Sequence, residues 1–148
     1  MQWEFIANQK KRLSSNSLQR IKYTTLYTGI PEQYRGLIWT KILDIDTARS
    51  KNPNNFYSKL CQIPNEDASR DIKKDVDRTM NELGLWDEDL FCGNNKLYNV
   101  LIAYANYDNE VGYVQGMNYI TALLIFYIKD EEQVFWCLYQ IMVTHDWR

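Results

Sequence analysis

Lys96-Leu97-Tyr98-Asn99-Val100-Leu101-Ile102-Ala103-Tyr104-Ala105-Asn106-Tyr107 sets Leu97, Val100, Leu101 and Tyr104 at i, i+3, i+4 and i+7, the spacing of one helix face. Downstream, 106–112 is polar and turn-forming, and 116–128 is so apolar that it predicts a helix buried on most sides. Asp130 and Gln133 have the spacing of a capping box for a further helix carrying Val134, Phe135, Leu138, Ile141 and Met142. Upstream, residues 83–95 read as a loop or broken helix, with Gly84 and Gly93 as breakers.

Earlier segments repeat the helical signal. Residues 67–80 are charge-rich and helical in composition, with few apolar anchors beyond Ile72 and Val76. A short helix is expected around Phe56, Tyr57 and Leu60, between the loop Asn52-Pro53-Asn54-Asn55 and Pro64. Residues 31–43 present a wide apolar face, and Thr28-Gly29-Ile30-Pro31 separates them from a helix with Leu18, Ile21 and Leu26 on one side. Residues 1–15 read as an arm, polar after Phe5, and 16–148 as one helical domain. The expected architecture is all-α, with roughly six or seven helices and no sheet.

Composition narrows the function. In 148 residues, 17 basic and 19 acidic side chains leave a net charge of −2, without the basic excess of a nucleic-acid binder. With 45% apolar and 14% aromatic residues, the chain can fill a core. Cys61, Cys92 and Cys137 form no CxxC pair and His145 is the lone histidine, so no metal site is expected and the cysteines read as free buried thiols. The longest apolar stretch, 120–128, is shorter than the ~20 residues that span a bilayer.

Three stretches break simple helix packing. In Gly29-Ile30-Pro31-Glu32-Gln33-Tyr34-Arg35-Gly36-Leu37-Ile38-Trp39, a glycine inside a helix costs ~1 kcal/mol against alanine, so a close approach by Trp39 or a neighbouring helix is expected, with Arg35 as an internal ion-pair partner. In Asp71-Ile72-Lys73-Lys74-Asp75-Val76-Asp77-Arg78-Thr79, Asp71, Asp75 and Arg78 stand at i, i+4 and i+7, and Asp75 can touch Arg78. In Val111-Gly112-Tyr113-Val114-Gln115-Gly116-Met117-Asn118, a polar loop meets an apolar helix. That junction reads either as backbone N–H groups open to an anion or as a helix start with Asn118 in a local hydrogen bond.

Together these stretches resemble the motifs GIPxxxRGxxW, DIxxDxxRT and GYxQGMN of the TBC (Tre-2/Bub2/Cdc16) domain, the Rab GTPase-activating module, over about residues 28–142. The chain departs from the pattern at Met80-Asn81, where proline is common, and at Val114, where cysteine is frequent. TBC domains continue into a second helical half, so the resemblance implies an N-terminal lobe.

The resemblance further implies an activator that completes the active site of a Rab-type small GTPase in its GTP-bound state. Arg78 would be the arginine finger and Gln115 a glutamine finger that orients water. Asp75 would orient Arg78 or Arg35, and Tyr113, Gly116 and Asn118 would support the glutamine loop. No cofactor of its own is implied, since the partner carries GTP and Mg²⁺. The setting would be cytoplasmic, peripheral to membranes through the partner. Two other readings remain: a TBC-like module that docks a Rab without stimulating it, and a hydrolase using paired carboxylates such as Asp71 with Asp75 or Asp44 with Asp46.

Overall fold

The computed structural model describes residues 2–9, 12–83 and 95–144. Among the described residues nine α-helices follow one another: α1 (Gln2–Ala7), α2 (Ser15–Thr28), α3 (Arg35–Ile42), α4 (Ile45–Ser50), α5 (Phe56–Gln62), α6 (Glu66–Leu83), α7 (Asn95–Tyr107), α8 (Met117–Ile128) and α9 (Glu131–Tyr139). A 3-10 turn at Glu32–Tyr34 leads into α3, a π turn at Gln140–Thr144 follows α9, and no described residue lies in a strand. The all-α architecture is therefore as expected. The count exceeds six or seven because α1 and α4, six residues each, are too short to show a periodic pattern. The loop expected over 83–95 falls almost entirely on 84–94, outside the described residues.

Helix α7 is the axis of the molecule and packs against α5, α6, α8 and α9. Residues Val100 to Ala105 are all buried, with Ala103 and Ala105 letting neighbours approach closely. The most enclosed helix is thus α7 rather than α8, where Tyr119 and Leu123 remain exposed. On α9, Val134 to Leu138 are all buried, and Trp136 stacks on Phe56 at 5.8 Å between ring centroids. Asp130 caps α9 by accepting from the Gln133 N–H at 2.8 Å. The return half of a capping box is not needed, because Asp130 N–H already donates to Ile128 O.

The N-terminal region, expected as an arm over 1–15, packs partly into the fold. Trp3, Ile6 and Ala7 of α1, with Leu13, form a small second core against Ile21 and Ile38. Trp3 and Ile6, three residues apart on one turn, give this short helix an apolar side that composition alone hides. Arg12, largely exposed, places its Nε 2.8 Å from Asp44 Oδ2 at the corner between α3 and α4. Ser14 caps α2, accepting from Ser17 N–H at 3.2 Å.

Cys137 is buried and Cys61 half-buried, neither in a disulfide, while Cys92 lies outside the described residues. Burial pushes the Cys137 thiol up to about 12. No described helix is long and apolar enough to cross a membrane.

Candidate functional site at the junction of two helices

The site begins with the anchoring of α6. Asn65 caps the helix by accepting from Ala68 N–H at 3.1 Å, and Glu66 and Asp67 in the first turn suit the positive end of its dipole. Asn65 is held in turn by the buried Asn106 at the end of α7, which also donates to Leu60 O and Ile63 O. Along α6, Ile72, Val76 and Thr79 form the buried stripe. The apolar anchors look sparse in sequence because a threonine occupies the third position. Arg78 projects away from that stripe with half its side chain exposed.

The second part is the 108–116 loop. Buried Asp108 folds it by accepting from Tyr104 OH at 3.1 Å and from Val111 N–H at 3.2 Å. The loop enters α8 through Gly116 at φ +106°, a conformation that side chains other than hydrogen rarely adopt. Three N–H groups here are engaged internally: Val114 donates to Met117 Sδ, Gly116 to Asn118 Oδ1 at 2.9 Å, and Met117 to Val114 O. The junction therefore follows the second of the two sequence readings, a helix start with Asn118 in a local hydrogen bond.

The two parts meet in a shallow cleft of about 250 Å³ lined by Asp71, Lys74, Asp75, Arg78, Tyr113 and Gln115. Asp75, only 8% exposed, has Oδ1 3.6 Å from Arg78 Nη1, while its Oδ2 accepts from Tyr113 OH at 2.8 Å. Asn118 Oδ1 lies 3.3 Å from the same hydroxyl, and Asn118 Nδ2 donates to Thr79 Oγ1 at 2.6 Å. Burial first, and then the Asp75 carboxylate, push the Tyr113 phenol well above its usual range, so it stays a neutral donor. Gln115 is exposed and makes no hydrogen bond to a described residue.

Asp75, Arg78, Tyr113, Gln115, Gly116 and Asn118 thus converge, whereas Arg35 does not. Its Nε donates to Ile30 O at 3.1 Å, its Nη1 to Tyr127 OH, and its guanidinium lies 5.1 Å from the Tyr127 ring centroid. Tyr127 stands ten residues along α8 from Met117, ~15 Å away by helix rise. Among the described residues Arg35 forms no ion pair, so the expected carboxylate partner is replaced by a carbonyl and a phenol. Of the two candidates, Asp75 faces Arg78. Next to Arg35, a Cβ added to Gly36 would lie 2.2 Å from Tyr127 O, so the close approach expected there is made by α8 backbone.

Thr79 belongs to the network yet is absent from the sequence-derived set. Its position within DIxxDxxRT is visible in the sequence, but its partner is 39 residues away and the pairing is visible only in the fold.

The model of the Rab-GTPase-TBC domain matches residues 32–148. The chain belongs to that family. Among TBC relatives, GTPase-activating protein GYP5 of Eremothecium gossypii is 32% identical across 99% of the chain and 16% of its own length. Growth hormone-regulated TBC protein 1-A of Danio rerio is 30% identical across 93% of the chain and 38% of its own length. The crystal structure of the Chlamydomonas flagellar RabGAP TBC domain superposes with a TM-score of 0.77 at 26% identity, covering 95% of this chain and 48% of that one. The chain thus spans less than two fifths of these curated relatives and about half of the solved TBC domain.

Proposed function

We propose that this chain carries the catalytic fingers of a Rab GTPase activator, with Arg78 and Gln115 entering the nucleotide site of a GTP-bound Rab. The observation that carries this reading is the shared cleft: an arginine from α6 and a glutamine from the 108–116 loop, 37 residues apart, line one solvent-facing depression. Family membership and the GTPase-activating relative support the same partner class.

The chemistry fits the side chains. Phosphoryl transfer spreads negative charge over the equatorial and leaving oxygens, and a guanidinium donates to them in a fixed planar fork. An arginine finger supplied in trans is worth ~10³ to 10⁵ in rate. Asp75 holds Arg78 at 3.6 Å without enclosing it. At 3.6 Å from a half-exposed guanidinium the ion pair itself is weak, and the buried Asp75 serves to aim Arg78. Gln115 has an amide with donor and acceptor both unspent, which suits positioning a water better than deprotonating it. The partner supplies GTP and Mg²⁺, and this chain completes the partner's active site without turning over a substrate of its own.

The test is phosphate release from a panel of GTP-loaded Rab proteins, with and without the chain. Stimulation of at least one Rab supports the activator reading. Binding to a Rab with hydrolysis unchanged would instead identify a docking module.

A further inference from the structure

We propose that Thr79 is a positioning residue that locks the arginine and glutamine segments into one geometry, an inference that rests on the activator reading. Hydrogen bonds, with one 3.3 Å contact between Tyr113 OH and Asn118 Oδ1, close a ring at the cleft. From the Asp75 carboxylate it runs to Tyr113 OH, then Asn118 Oδ1, across the amide to Nδ2, on to Thr79 Oγ1, and back to the Asp75 backbone carbonyl at 2.6 Å. Thr79 is the point where the ring crosses back from α8 to α6. Gly116 N–H joins through Asn118 Oδ1, which places the residue after Gln115 under the same control.

Packing alone does not account for this residue. Thr79 is fully buried on the helix stripe that also carries Ile72 and Val76. Valine has the same shape and would avoid burying a hydroxyl. Threonine's hydroxyl has both its donor and acceptor capacity used, one inside α6 and one across to Asn118. That bond sits one residue from Arg78, and its partner lies three from Gln115. A slip of the loop along α6 would break it, so it fixes the register between the two finger segments. Positioning of this kind acts on the rate at saturation rather than on partner binding, because misplaced groups lose contacts made only in the transition state.

The experiment compares Thr79→Val with Thr79→Ser in single-turnover hydrolysis by a GTP-loaded Rab, titrating the activator to separate kcat from KM. Thr79→Val should lower kcat about tenfold, the scale of one buried hydrogen bond broken on one side, with KM within about twofold. Thr79→Ser keeps the hydroxyl and should hold kcat within about twofold, although its lost methyl lowers the melting temperature. A purely structural role predicts that both variants lose rate in step with stability, and that result, or full kcat in Thr79→Val, would overturn the proposal. If Thr79→Val does not fold, Thr79→Ala replaces it.

Amide exchange supplies a readout independent of GTP hydrolysis. Gly116 N–H should exchange several-fold faster in Thr79→Val than in the parent and unchanged in Thr79→Ser; unchanged exchange in both would overturn the lock. If Arg78→Ala abolishes stimulation while Thr79→Val keeps it, only the lock fails. If Arg78→Ala matches the parent, the activator reading fails instead.

Discussion

Helix α8 is gripped near both ends, and the two grips use different physics. Near its C-terminal end α3 presses backbone to backbone at Gly36, with Trp39 edge-on to Tyr127 at 5.0 Å and Arg35 laid over the same ring. At its N-terminal end α6 is joined by hydrogen bonds among Asp75, Tyr113, Asn118 and Thr79, with Arg78 and Gln115 left open above them. Both regions carry a motif with an arginine, yet one arginine is spent on packing and the other remains half exposed. The fold supplies Arg35 with a carbonyl and a phenol, and it leaves Arg78 free to reach outward.

The largest effects should come from removing the cleft residues. Arg78→Ala should lower the chain's stimulation of GTP hydrolysis by a Rab by ~10³ or more, with Arg78→Lys nearly as poor because an ammonium lacks the planar fork. Phosphate release at saturating activator checks both, with melting curves matching the parent. Gln115→Ala should follow with a loss of roughly 10², the scale of a misplaced nucleophile, again without a change in melting.

At the other grip the signs reverse. Gly36→Ala forces a methyl into Tyr127 backbone and should destabilise by about 1–3 kcal/mol despite alanine's better helix propensity. Thermal unfolding should register this as ~2–4 °C per kcal/mol for a domain of this size. Arg35→Met should cost less, about 1 kcal/mol, through the bonds lost to Ile30 O and Tyr127 OH. Smallest of all, Arg70→Ala on the exposed face of α6 removes only an ion pair with Asp67 and should leave both melting and hydrolysis at parent values.

Which parts were legible in the sequence follows from the range of the interactions. The helices around Leu97–Tyr104 and Asp130–Met142 announce themselves by periodicity and capping, both local, and the Asp75–Arg78 pair is a three-residue contact. Gly36 signals a close approach because glycine is out of place inside a helix, though the sequence does not say which partner approaches. The docking of Trp3 and Ile6 depends on Ile21 and Ile38, which no local pattern connects to them. Arg35 is misread for a related reason: a guanidinium suggests a carboxylate, and only the fold brings a carbonyl and a tyrosine to it. Thr79 is overlooked because a threonine on an apolar stripe looks like filler until Asn118 arrives from 39 residues away.

The most direct test of the central claim is phosphate release from a responsive GTP-loaded Rab with the parent chain, Arg78→Ala and Gly36→Ala measured side by side at a temperature where all three are folded. The parent and Gly36→Ala should stimulate strongly, and Arg78→Ala almost not at all. Stimulation by Arg78→Ala equal to that of the parent would contradict the claim.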